Sequence, residues 1–186
     1  MKRFCFIVII FSVIFCVDSS ALFYKGAEGY DVRKLQEALY RAGYYNGEWD
    51  GRYTERVCAA VKEYQRDAGV FPDGICTYGI ARSLGADVKY DRRDEDALKL
   101  ARLLCRVCGD RDQLTKLTVA SVAVNRLSSP LFPDDMASVV ETLGGAFPCE
   151  IPEDCMRAAY EAVRGAKPYG GVLYYEIKNG GFVYSK

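Results

Sequence analysis

Two copies of one short sequence plan lie in the first half of this 186-residue chain. Each copy has a Gly-aromatic step, an Asp-Gly turn and a helix; the first includes Gly43-Tyr44-Tyr45 and Asp50-Gly51, and the second Gly69-Val70-Phe71 and Asp73-Gly74. In such a turn the Asp side chain binds backbone N–H groups, while Gly adopts the positive φ that the turn requires. Apolar residues at helical spacing around the turns predict three helices. Residues 22–86 are therefore predicted to form a small three-helix bundle.

The second half of the chain is predicted to be mostly helical and to end in a β-hairpin. Apolar residues recur at helical spacing in four stretches, which are 98–108, 117–127, 136–140 and 155–163. Two further stretches, 172–177 and 182–184, flank a Gly-rich segment that is typical of a hairpin turn. The predicted fold class is mainly α, with an α+β, mostly helical domain at 95–186 after a mixed-charge linker at 87–94. Asp31 and Asp94 are the predicted N-caps of the first helix in each domain.

The N-terminal segment predicts export. Met1-Lys2-Arg3 precedes an apolar run at 4–17, and a small-x-small site ends at Ala21. The run is shorter than the roughly 20 apolar residues that span a bilayer. We therefore predict a signal peptide at 1–21 and no stable membrane span, with an uncleaved membrane anchor as the alternative.

The composition excludes several kinds of chemistry. The chain has no histidine, which rules out Ser-His and Cys-His nucleophilic pairs, HExxH metallopeptidases and His-ligated catalytic zinc. Its 25 basic and 25 acidic side chains balance, which argues against a nucleic-acid partner. Cys105, Cys108, Cys149 and Cys155 could be drawn as a zinc site, but their apolar helical context favours buried thiols. We predict no metal, no cofactor and no specific disulfide.

Three strings of residues in the first module carry a family resemblance. They are Gly29-x-Asp31-Val32-x-x-Leu35-Gln36-x-x-Leu39, Gly43-Tyr44-Tyr45-x-Gly47-x-x-Asp50-Gly51-x-Tyr53, and Ala60-Val61-x-x-Tyr64-Gln65 with Asp73-Gly74. The module resembles the peptidoglycan-binding domain attached to bacterial cell-wall hydrolases, which implies the glycan strands of peptidoglycan as its partner. Because sugar rings stack on aromatic faces, the predicted binding residues are the aromatic side chains around the first Asp-Gly turn, together with the Asp of that turn. They are Tyr44, Tyr45, Trp49, Asp50 and Tyr53, although Tyr45 and Tyr53 fit a small core equally well.

The second module carries its own series of motifs. They are Leu100-Ala101-Arg102-Leu103, Val119-Ala120-x-Val122-Ala123-Val124-Asn125-Arg126, Ser129-Pro130-x-Phe132-Pro133, Gly145-Ala146-Phe147-x-Cys149 and Gly170-Gly171-x-Leu173-Tyr174-Tyr175. In order and spacing they resemble the spore-cortex-lytic, cell-wall hydrolase family. That resemblance implies a lysozyme-like helical domain that cuts glycan strands, as a muramidase or lytic transglycosylase, with one glutamate as the acid/base. The residues expected to line its groove are Asn125, Arg126, Phe147, Tyr174 and Tyr175.

The acid/base position departs from that family. Counted without a gap, the family's glutamate falls on Val107, and valine can neither donate nor accept the proton that glycosidic cleavage needs. Asp110 is the substitute we name, because it would lie one helical turn further on if the helix continued. Glu141, Glu150 and Glu176 are more remote alternatives. Two hypotheses follow for an exported, monomeric protein of the cell wall or spore cortex, namely a glycan-cutting enzyme or a wall-binding pseudoenzyme.

Overall fold

The computed structural model describes residues 22–166, 168, 170–178 and 181–185. The predicted signal peptide and the hairpin residues Asn179-Gly180 lie outside them. The elements in chain order are α1 Tyr30–Arg41, α2 Glu55–Asp67, α3 Tyr78–Ser83, α4 Arg92–Cys108, α5 Gln113–Leu127, α6 Met136–Thr142, α7 Glu153–Val163, β1 Tyr174–Lys178 and β2 Gly181–Ser185. The two strands pair antiparallel. The predicted mainly helical class with a C-terminal hairpin is confirmed, and no helix in the described ranges could cross a membrane.

Two of the predicted helix starts were wrong. Helix α1 begins at Tyr30 after Gly29, so Asp31 lies in the first helical turn rather than at the N-cap. Helix α4 begins at Arg92, because the side chain of Asp91 accepts the Arg93 N–H and caps the helix. Asp94 is instead buried inside the first turn of α4. The helix therefore starts within the mixed-charge stretch at 87–94 that we interpreted as a linker.

Two buried glutamines hold the two Asp-Gly turns in the same way. Gln36, on α1, donates from Nε2 to Asp50 Oδ1 at 2.8 Å and accepts the Gly51 N–H at 2.8 Å. Gln65, on α2, makes the same two bonds with the Asp and Gly of the second turn, at 2.7 and 2.8 Å. Each amide also donates to the backbone carbonyl two residues after its Asp, at 3.1 Å. The repeated sequence plan is thus a repeated hydrogen-bond network.

The described residues form two hydrophobic cores, the first drawn from the predicted domain at 22–86 and the second mainly from the one at 95–186. Members of the first core include Phe23, Val32, Leu35, Leu39, Tyr53, Val57, Val61 and Cys76. Members of the second include Leu22, Ile75, Leu100, Leu103, Leu104, Val119, Met136, Val139, Met156 and Ala159. The second core lies mainly between α4, α5 and α7, with α6 against α4 and α5.

A short backbone pairing joins the two cores. Phe23 and Cys76 exchange backbone hydrogen bonds, both at 2.9 Å. Successive side chains of an extended segment point to opposite sides. Phe23 and Cys76 therefore enter the first core, while their neighbours Leu22 and Ile75 enter the second. Asp73 adds an ion pair across the same boundary, with its Oδ2 3.1 Å from Arg102 Nη2 on α4.

Candidate functional site

Two of the predicted glycan-binding tyrosines are core residues. Tyr53 is 2% exposed, and its hydroxyl donates to the Gly74 carbonyl at 2.8 Å. Tyr45 is 7% exposed, and its hydroxyl donates to the Glu48 carbonyl at 3.0 Å. A ring enclosed by protein offers no face on which a sugar could stack. The binding role proposed for these two residues is therefore corrected to a role in packing.

Trp49 stands at the surface beside Tyr40, which is not one of the predicted binding residues. Its indole is 36% exposed and meets the ring of Tyr40, 54% exposed, edge to face with centroids 5.5 Å apart. Tyr40 lies on α1. Its position outside the apolar stripe of that helix was the sequence feature that could have indicated an exposed ring. Together the two rings form an exposed aromatic surface of the kind that binds sugars.

Tyr44 and Asp50 have partners within the first domain. Tyr44 packs edge to face on Tyr64, with centroids 5.3 Å apart, and its hydroxyl donates to Asp67. That hydrogen bond raises the pKa of Tyr44. Asp50 accepts from Gln36 and from a backbone N–H in its own turn, which lowers its pKa. Asp50 therefore keeps its charge to hold the turn, and contact of either residue with glycan stays a prediction.

The second Asp-Gly turn borders an open cleft of about 410 Å³. Its lining includes Tyr64, Val70, Phe71, Ile80, Ser83 and Arg102. Val70 and Phe71 are exposed there, and the hydroxyls of Tyr64 and Ser83 are hydrogen-bonded at 2.8 Å. The cleft thus combines apolar faces with a polar edge. Phe71 was predicted only as part of the sequence repeat, and this cleft was not predicted.

Asn125 and Arg126 anchor the segment that leads into the hairpin. Asn125 Nδ2 donates to the Val172 carbonyl at 2.9 Å, and Arg126 Nε donates to the Leu173 carbonyl at 2.7 Å. Arg126 Nη1 also donates to Thr142 Oγ1 at 2.9 Å. Both side chains are buried, at 8% and 7% exposure. These groups hold the segment before the hairpin in place, and contact of either residue with glycan stays a prediction.

The guanidinium of Arg126 also supports an aromatic cluster. It lies 4.6 Å from the ring centroid of Phe132 and 5.3 Å from that of Tyr174. The two rings meet each other edge to face at 5.8 Å. Burial lowers the pKa of Arg126, but its ordinary value is so high that the guanidinium stays charged. Tyr174 remains exposed on this cluster, as a groove residue would be.

Phe147 lies on the loop between α6 and α7, close to the end of α4. Its ring is 61% exposed, and the guanidinium of Arg106 stacks 5.1 Å from its centroid. Gly145 lies between Arg106 and Glu141, since a Cβ built on it would come 3.2 Å from Glu141 Oε2 and 3.6 Å from Arg106 Nη1. An aromatic face, a cation and a carboxylate therefore border the same short loop.

Tyr175 joins the hairpin to the end of α6. Its hydroxyl donates to the Leu143 carbonyl at 3.2 Å, and burial raises its pKa. We expect Tyr175→Phe to lower the free energy of unfolding by about 1 kcal/mol, the usual loss for one such hydrogen bond. Wall binding should stay unchanged, because the ring remains in place. Urea unfolding and a wall pull-down measure the two effects, and a large loss of binding would give the hydroxyl a role in ligand contact.

Two segments of the chain match known families. Residues 28–84 match the peptidoglycan binding domain family, and residues 110–181 match the Cell Wall Hydrolase family. The chain joins a peptidoglycan-binding domain to a cell wall hydrolase domain. Both resemblances drawn from the motifs are thereby confirmed.

Three proteins illustrate the similarity. The spore cortex-lytic enzyme of Bacillus cereus is 23% identical over 199 residues, which cover 84% of this chain and 77% of that protein. The chloroplastic protein disulfide isomerase pTAC5 of Arabidopsis thaliana is 37% identical over 79 residues, covering 40% of this chain and 20% of the plant protein. The solved catalytic domain of the Bacillus cereus SleB protein has 21% identity and a TM-score of 0.43, covering 53% of this chain and 93% of that domain.

Helix α4 carries no carboxylate at the position where the hydrolase resemblance implies one. Val107 is half-buried there and packs against the second core. The helix ends at Cys108, and Gly109 follows with a φ of 51°. Asp110 is therefore exposed beyond the helix rather than one turn along it. The condition on which we named Asp110 as a substitute acid is not met.

Four other acids of the hydrolase domain are considered as alternatives to an acid at position 107. Glu150 forms an ion pair with Lys62 of the peptidoglycan-binding domain, and Glu176 lies on β1. Burial raises the pKa of Asp96, but Asp96 precedes Val107 by three helical turns, about 16 Å along α4. Glu141 lies beside Gly145, two residues before Phe147. Within the described ranges no cluster of three His, Cys, Asp or Glu side chains could hold a metal ion.

Proposed function

We propose that this protein is exported and holds the glycan strands of peptidoglycan in the cell wall or spore cortex without cutting them. The observation that carries the proposal is the apolar side chain of Val107, which stands where an ungapped count from the motifs places the family's acid. Glycosidic cleavage needs a carboxylic acid to protonate the leaving oxygen, and such general acid catalysis contributes about 10²- to 10⁴-fold to the rate. A wall-binding pseudoenzyme accounts for a preserved fold without that acid.

The peptidoglycan-binding domain supplies the surface for such a role. Its exposed pair of Trp49 and Tyr40 can stack on the apolar faces of sugar rings. In the hydrolase domain, Phe147 and Tyr174 are the predicted groove residues whose rings remain exposed. Both domains can therefore contact one polymer, and two linked weak sites give a higher overall affinity than either site alone.

We expect Trp49→Ala to weaken binding to purified peptidoglycan about 10-fold, which corresponds to about 1.4 kcal/mol. The measurement is a pull-down on insoluble wall at several protein concentrations. Tyr90→Ala is the matched control, because Tyr90 is also exposed and edge to face with a neighbouring tyrosine, Tyr78, but lies outside both candidate surfaces. An equal loss of affinity for the wall in both variants would show that Trp49 is not part of the binding surface.

The enzyme alternative rests on Glu141, because its carboxylate lies beside Gly145 on the loop that carries Phe147. Purified wall and spore cortex would be incubated with the protein, and soluble muropeptides would be separated by chromatography. We expect binding without release. Release that disappears in Glu141→Gln would identify this residue as the acid and establish a glycan-cutting enzyme instead. Failure to bind wall at all would exclude peptidoglycan as the partner.

A further inference from the structure

The described part of the chain contains six free cysteines, of which two, Cys105 and Cys149, are partly exposed. Cys105 lies on the last turns of α4, and Cys149 lies on the loop between α6 and α7. The two side chains lie close enough to influence each other's titration. The Cys105 thiol also lies 3.7 Å from the carbonyl oxygen of Glu150, the residue after Cys149. This contact holds the loop at the cysteine pair.

The neighbouring cysteines are less suited to react. Cys108 and Cys155 are buried, and burial raises the pKa of each thiol to about 12. A thiol must lose its proton before it can act as a nucleophile. Cys149 is partly exposed, although burial and its interaction with Cys105 raise its pKa to about 11. The exposed pair is thus distinct from the buried pair beside it.

We propose that Cys105 and Cys149 form a reversible disulfide that fastens the loop between α6 and α7 to helix α4. The Cys105 thiol lies 3.7 Å from the carbonyl oxygen of the residue that follows Cys149, so the loop already holds the two cysteines side by side, as this bond requires. The oxidant is a small-molecule disulfide of the kind found outside the cytoplasm. The Cys105 thiolate attacks it and releases one thiol; Cys149 then attacks the sulfur of Cys105 and releases the second. The protein loses two electrons and two protons, and the small disulfide is reduced to two thiols.

The disulfide would fix two functional contacts of this loop. Phe147, two residues before Cys149, stacks on Arg106, the residue after Cys105. Glu150, the residue after Cys149, forms an ion pair with Lys62 of the peptidoglycan-binding domain. Oxidation would therefore immobilise the aromatic wall of the candidate groove and one contact between the domains. This site does not depend on whether the protein cuts glycan.

The test is oxidation of the full chain with oxidised glutathione, followed by non-reducing peptide mapping by mass spectrometry. We expect a peptide in which Cys105 is linked to Cys149, and its loss on treatment with dithiothreitol. Because a cross-link restricts the unfolded chain, the melting temperature of the oxidised protein should rise by about 5–15 °C. A product in which other cysteines are linked, or a chain that keeps its thiols, would overturn the proposal.

Single variants separate this pair from the remaining thiols. Cys149→Ser should leave a glutathione adduct on Cys105 and abolish the rise in melting temperature. Cys58→Ser, in the peptidoglycan-binding domain, is the control and should leave both the linked peptide and the rise unchanged. A rise that persists in Cys149→Ser would show that another bond causes it and would contradict the assignment.

Discussion

Replacing Gln65 with leucine is expected to lower the free energy of unfolding of the peptidoglycan-binding domain by about 3 kcal/mol. Leucine has a similar volume but cannot form the three hydrogen bonds of the amide. The Gly74 N–H and the Ile75 carbonyl would stay buried without these bonds, and each such group costs about 1–3 kcal/mol. Asp73 would also lose one of the partners that hold it beside Arg102.

Gln36→Leu is the matched comparison, because Gln36 makes the same bonds to the first Asp-Gly turn. Its expected cost is smaller, about 2 kcal/mol, since water can reach the exposed Asp50 and Arg52 after the substitution. Urea unfolding followed by the fluorescence of Trp49, the sole tryptophan, measures both variants. A loss below about 1 kcal/mol for Gln65→Leu would show that the buried network contributes little to stability.

The sequence predicted the elements of this fold because their signals are local. Asp-Gly turns, helical spacing and the hairpin pattern each extend over a few neighbouring residues. The glutamine networks were not predicted, since Gln36 and Gln65 meet their turns only after the chain folds back. A polar residue at the same place in two copies of a repeat was the available signal. The start of α4 was misplaced because Asp91 and Asp94 are both acceptable caps, and burial distinguishes them.

The candidate site was harder to predict than the fold. Exposure decides whether an aromatic residue packs or binds, and the spacing of residues does not reveal it. Tyr53 and Tyr45 were selected although they are buried, whereas the exposed Tyr40 was not selected. Asn125 and Arg126 were expected in the groove, but their partners Val172 and Leu173 lie 47 residues away in the chain. Such long-range contacts arise from tertiary packing.

Val107→Glu is expected to convert a binding protein into one that releases muropeptides, with a rate about 10²- to 10⁴-fold above that of the unmodified protein. The substitution puts a carboxyl group at the position where an ungapped count from the motifs places the family's acid. The half-buried site beside the second core would raise the pKa of this carboxyl, because burial disfavours the charged form. A raised pKa keeps the acid protonated near neutral pH, as protonation of a leaving oxygen requires.

Val107→Gln is the control that isolates the proton, since it has nearly the shape of glutamate without an ionisable group. Release by Val107→Glu but not by Val107→Gln would show that the rest of the groove still positions glycan for cleavage. The gained rate should then fall as the pH rises through the pKa of the new carboxyl, because the acid form is lost. If neither variant releases muropeptides while both keep their fold and wall binding, the groove has lost more than its acid. The missing glutamate would then not by itself explain inactivity.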